Sequence, residues 1–130
     1  MAERTREKIS EMVAGFAGDF IRNGEDACRK QVHLNLASTA WNLANLPKPE
    51  RKKAFRKYMD NFRRLNAEAD VAAVEYNLKL LIAQKLAQFP HEMATIVSAK
   101  YMECEGEDRL SIASVPAGTP FPSGGAFSWN

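Results

Sequence analysis

As far as Phe89 the apolar residues recur at three- and four-residue intervals, the period of one helix face, and four such stripes follow one another. The first runs from about Thr5 to Asn23 on Ile9, Met12, Val13, Phe16, Phe20 and Ile21, with Gly24 placed to end it as a left-handed cap. The second runs from Asp26, which either caps it or places a carboxylate in its first turn, to Leu46, where Pro47 disfavours further helix. Its stripe of Cys28, Val32, Leu36, Ala40, Leu43 and Leu46 is widened by Leu34, Ala37, Trp41 and Ala44. A helix that is apolar over so wide an arc needs more than one neighbour.

The third segment, Pro49 to Leu65, opens on a proline suited to a first helical turn. Phe55, Tyr58, Met59, Phe62 and Leu65 form its apolar face. Counted from Phe55 at about 100° per residue, that face centres near about 340°, whereas Lys52, Lys53, Arg56, Lys57, Arg63 and Arg64 occupy about 60–200°. The fourth segment, Ala67 to Phe89, carries Val71, Val74, Leu78, Leu81, Ile82, Leu86 and Phe89. On the same count its stripe centres near about 150°, almost opposite the apolar face of the third. One straight helix would aim its two halves at opposite sides, so the pattern predicts a break near Asn66, with Glu68 and Asp70 in a new first turn. Ala73, Tyr76, Leu80, Ala83 and Ala87 line the reverse side of the fourth segment, which makes it the expected central, largely buried helix.

Residues Pro90 to Val115 admit two readings. Met93, Ile96, Val97, Tyr101 and Cys104 suit a fifth helix ending at Gly106; alternatively, Ala94 to Val115 forms a β-hairpin turning at Glu105 to Asp108. Leu110 to Ile112 alternate, but the first arm does not alternate cleanly, and the helical reading is preferred. The expectation is thus an all-α domain over residues 1–115, a compact bundle of four to five helices, followed by an extended Pro/Gly-rich tail, 116–130. The tail is uncharged and carries Phe121, Phe127 and Trp129, spaced either to strap the bundle or to dock on a partner.

Composition narrows the classes. The 130 residues are 45% hydrophobic and 26% charged, with two cysteines, which excludes a disordered chain and a disulfide scaffold. The net charge of +2 hides a dipolar layout: residues 48–65 hold eight basic and two acidic side chains, and residues 90–109 two basic and five acidic. Neither a leader-type apolar run nor a membrane span is visible, so a soluble, cytoplasmic protein without membrane contact is expected, with Cys28 and Cys104 as small buried thiols.

Candidate chemistry is sparse. Cys28, His33, His91 and Cys104 have no zinc spacing, since Cys28 and His33 diverge by about 140° on a helix. Glu103, Glu105, Glu107 and Asp108 cluster in the manner of solvated carboxylates. No nucleophile motif or phosphate-cradling loop occurs, and no catalytic residue, metal or cofactor is assigned. The basic face of the third segment is the stronger signal. The expectation is a non-enzymatic adaptor, accessory or inhibitor-type protein that docks on a larger protein or nucleoprotein partner through that face. The alternatives are direct binding of nucleic acid by the same six cations, and an enzyme whose site assembles only in space. The wide apolar surface of the second segment also leaves room for a homo-oligomer.

Overall fold

A computed structural model describes residues 2–65 and 70–116, with side chains from residue 9 onward. The chain forms α1 (Ala2–Arg22), α2 (Ala27–Ala44), α3 (Lys48–Leu65), α4 (Val71–Gln88), β1 (Thr95–Cys104) and β2 (Glu107–Val115). Asp26 caps α2, its carboxylate accepting from Arg29 N at 2.8 Å. The third and fourth stripes do belong to separate helices. Asp70 caps α4 by accepting from Ala73 N at 3.0 Å, while Asn66 and the tail residues Phe121, Phe127 and Trp129 lie outside the described residues. Gly24 does not take a left-handed conformation. A Cβ there would come within 2.7 Å of Lys30 N, so glycine lets the chain pass close to the start of α2.

The all-α expectation is wrong. Residues 95–115 form an antiparallel hairpin and not a fifth helix, so the domain has four helices and a two-stranded sheet. The turn is two residues, Glu105 and Gly106, both at positive φ (53° and 80°), as the tight I′-type connection demands. The first arm hides its alternation because Val97 is an extra residue: Ile96 pairs with Ser114 and Ser98 with Ala113. This bulge shifts the period by one, so that Ile96, Ala99 and Tyr101 all face inward.

The same bulge lets α2 complete the free edge of β1. Asn42 Nδ2 donates to Ile96 O at 2.8 Å and Asn42 Oδ1 accepts from Ile96 N at 2.8 Å. One helical span earlier, Gln31 Nε2 donates to Ala99 O at 3.0 Å and Gln31 Oε1 accepts from Tyr101 N at 2.7 Å. Backbone groups of Ile96 and of Ala99/Tyr101 would point to opposite edges in a regular strand, since their separation is odd. With Val97 bulged they share one edge, and two primary amides occupy it as a neighbouring strand would.

The central helix is α2 and not α4. Half of α2 is buried, including Leu34, Ala37, Ala40, Trp41 and Ala44, and it contacts α1, α3, α4 and β1. Trp41 lies between Phe16 and Phe89, with ring centroids 6.0 and 6.2 Å away, and its Nε1 donates to Ala94 O at 2.7 Å. On α4 only Leu78, Leu81, Ile82 and Lys85 are buried, and its reverse side, including Tyr76 and Leu80, is exposed.

Glutamate is a poor residue for a left-handed position, and asparagine tolerates it well. Glu105→Asn is therefore expected to stabilise the fold by about 0.5–1 kcal/mol, and Gly106→Ala to destabilise it by about 1 kcal/mol. A Cβ at Gly106 meets nothing within 4 Å, so the second loss is one of backbone conformation alone. Thermal denaturation of the two variants should move the midpoint by a few degrees in opposite directions.

Candidate binding groove

Helix α3 is held to the domain along a narrow line. Met59 is its one buried residue, Ala54, Phe55 and Tyr58 are partly buried against the core, and it touches only α2 and α4 among the described elements. Arg51 anchors it: Nη2 donates to Ala44 O at 3.3 Å and to Leu46 O at 3.1 Å, placing a cation on the carbonyls that end α2. With Phe55 and Met59 turned inward, helical geometry sends the basic arc outward, and Lys52, Lys53, Arg56, Lys57, Arg63 and Arg64 are all exposed.

These six do not act as one face. Between α3 and α4 lies an open groove of about 630 Å³, floored by Phe55, Met59 and Ile82. Lys52, Arg56 and Arg63 line it, joined by Lys48, Arg51 and Lys79, against two carboxylates, Asp60 and Glu75. Lys53, Lys57 and Arg64 do not line it; at about 160–200° around α3 they point past it, where the first three sit at about 60–100°.

Among the described residues only part of this charge is neutralised. Arg63 Nη1 lies 3.3 Å from Asp60 Oδ1, and Arg64 Nη2 donates to Asn61 Oδ1 at 3.1 Å. Lys52, Lys53, Arg56 and Lys57 have no ion pair or hydrogen-bonded side chain among the described residues. The acidic cluster is too far away to help, because it falls at the hairpin tip and neither strand contacts α3. Lys79 spans the groove: its Nζ is 3.3 Å from Glu75 Oε2 and 5.7 Å from the centroid of the Phe55 ring. Lys48, Arg51, Lys79 and Glu75 were not singled out from sequence. The pairing of Lys79 with Glu75 four residues earlier was visible there, but its place beside α3 was not.

The other candidate groups resolve into structure. Cys28 and Cys104 are free and exposed, not buried, because one sits in the first turn of α2 and the other borders the hairpin turn. His33 stacks on Phe20 with centroids 4.2 Å apart, and its Nδ1 lies 2.6 Å from Phe20 O. No cluster of three or more metal-ligating side chains occurs among the described residues. Asp108 accepts from the Tyr101 hydroxyl and lies 3.3 Å from Lys30 Nζ, tying the hairpin to α2. The bond from Tyr101, then that from Lys30, holds the Asp108 carboxyl below its ordinary value, and the bond to Asp108 raises Lys30. No helix among the described residues is long and apolar enough to cross a membrane.

The groove therefore offers a cationic wall over an apolar floor, with no histidine, cysteine, serine or threonine among its lining residues. Its reading rests on this geometry alone: the chain matches no protein-family model, and no curated protein or solved structure is similar to it.

Proposed function

We propose that this protein is a small docking module, an adaptor or accessory subunit, that engages an acidic surface on a larger protein or nucleoprotein through the α3–α4 groove. The observation that carries this reading is the concentration of six cations along a groove with an apolar floor, of which Lys48, Lys52 and Arg56 are exposed and without an ion pair among the described residues. Desolvated apolar floor supplies affinity, and the surrounding charge supplies encounter rate and selection of acidic partners. The lining residues combine cations with apolar side chains, the chemistry of a surface that docks an acidic partner.

The division of the six cations gives the test. A triple variant Lys52→Glu, Arg56→Glu, Arg63→Glu should weaken binding of poly-glutamate by about tenfold or more, and the triple variant Lys53→Glu, Lys57→Glu, Arg64→Glu by much less. Fluorescence anisotropy at physiological salt reads both. Equal losses in the two variants would remove the groove from the account. Preference for mixed-sequence DNA, with log affinity falling against log salt at a slope of about −5, would replace docking on a protein by direct binding of nucleic acid through all six.

A further inference from the structure

The molecule has two charged ends of opposite sign that do not meet within one chain. The groove holds six cations against Asp60 and Glu75. The hairpin apex holds Glu103, Glu105 and Glu107, all exposed and without an ion pair among the described residues. Asp108 is already engaged: it accepts from the Tyr101 hydroxyl and lies 3.3 Å from Lys30 Nζ, which ties the apex to α2 at Lys30. Arg51 ties the groove to the other end of α2, at the carbonyls of Ala44 and Leu46. Lys30 and Ala44 are about 21 Å apart along the helix axis, and neither strand contacts α3. With α2 as a spacer between them, the apex does not reach its own groove while these ties hold.

The directions of the charges also correspond. Strand alternation puts Glu103 on the inward face with Tyr101, Glu107 on the outward face with Cys104, and Glu105 in the turn itself. Carboxylates therefore project from both faces of the hairpin and from its tip. The groove presents cations on both sides, Lys52, Arg56 and Arg63 from α3 and Lys79 from α4. Met102, 37% exposed on the same face as Glu107, is an apolar side chain that can follow the apex toward the floor of Phe55, Met59 and Ile82.

Resting on the docking reading, we infer that the groove receives the hairpin apex of a second copy of this chain, in a head-to-tail contact. The net charge of only +2 leaves little general repulsion between copies, while the separated charges orient them. The contact is heterologous: the first copy offers its apex and keeps its groove for the next, so association extends with concentration. A hairpin apex is a small contact, of the class below about 1,200 Å², and such interfaces are weak. Charge supplies most of this one, so salt weakens it. An acidic partner competes with the apex for the same cations, and self-association masks the groove until that partner displaces it.

Sedimentation velocity of the full chain at concentrations up to about 1 mM, the range of weak contacts, reads the association. At about 0.01 M salt the mean sedimentation coefficient should rise with concentration; at about 1 M, where the screening length falls from about 30 Å to about 3 Å, it should stay at the monomer value. Glu103→Lys with Glu105→Lys and Glu107→Lys should abolish the rise, and so should Lys52→Glu with Arg56→Glu. Lys53→Glu with Lys57→Glu, the same charge change off the groove, should keep it. An equimolar mixture of the apex and groove variants offers one intact apex and one intact groove per pair. It should form a complex of one copy of each that grows no further, and a loss caused by misfolding would not be restored in this way. A wild-type chain that stays monomeric at low salt, association that survives in the apex or the groove variant or at high salt, or a mixture that stays monomeric refutes the second copy as occupant. If poly-glutamate still binds through Lys52 and Arg56 in that event, the docking reading stands and the occupant is a foreign acidic protein. Mixed-sequence DNA bound more tightly than poly-glutamate by a monomeric chain assigns the groove to nucleic acid instead. Failure of every anionic probe to bind removes the docking reading itself.

Discussion

Replacing Asn42 by leucine is expected to destabilise the protein by about 2–4 kcal/mol. Asn42 satisfies both the N–H and the C=O of Ile96, whose side chain is fully buried. Leucine preserves approximate volume but leaves a donor and an acceptor without partners, and each such group costs about 1–3 kcal/mol. Asn42→Asp should lose less, because its carboxylate still accepts from Ile96 N. Denaturant unfolding gives the free energies, and hydrogen exchange locates them: the Ile96 amide should lose protection in the leucine variant while the Leu78 amide of α4 keeps its own. An unchanged unfolding midpoint in Asn42→Leu would show that the amides do not hold the strand edge.

A second expected result concerns pH. The Lys85 side chain is fully buried; its Nζ donates to Asn45 Oδ1 at 2.5 Å and to Glu92 O at 2.6 Å, and lies 4.7 Å from the centroid of the Trp41 ring. Burial pushes its ammonium down to about 8; the Glu92 carboxylate works against that shift and Arg51 adds to it. The unfolded chain keeps the ordinary value near 10.5, so the penalty for holding the proton in the folded state is fully present below about pH 8. Between about 8 and 10.5 the unfolded state binds more protons than the folded state, and the unfolding free energy rises with pH. The rise attributable to Lys85 between about pH 7 and pH 9.5 is about 2 kcal/mol. Above about pH 10 the buried Tyr58 hydroxyl, pushed up by burial, contributes with the opposite sign, so the comparison stops short of that range. Lys85→Met should abolish the slope whatever it does to absolute stability, and urea titrations at the two pH values read the difference. An identical slope in both proteins would mean that Lys85 does not titrate in this window.

The hairpin departs from the all-α expectation for physical reasons. Its alternation is interrupted by Val97, so a period-two search over residues 95–104 fails even though the strand is regular on each side of the bulge. The turn is built from Glu-Gly, which lacks the asparagine or aspartate that usually announces such a connection. The edge of β1 is completed by Gln31 and Asn42, more than fifty residues away in sequence, and no local pattern can report that. The misplacement of the centre has a related cause: α2 and α4 are both apolar over wide arcs, but in α4 the second arc is mostly alanine and remains exposed.

The sequence by itself determined the four helices, the capping role of Asp26, the separation of α3 from α4 and the outward aim of the six cations. Each of these follows from periodicity, capping chemistry or helix angle, all of which act within a few residues. Only the tertiary structure decided that the last segment is a hairpin, that α2 is central, and that Lys52, Arg56 and Arg63 share a groove with Lys79 while Lys53, Lys57 and Arg64 do not. Those outcomes depend on which faces of distant elements meet, and packing between elements is set by the shapes of both partners, not by the pattern of either one.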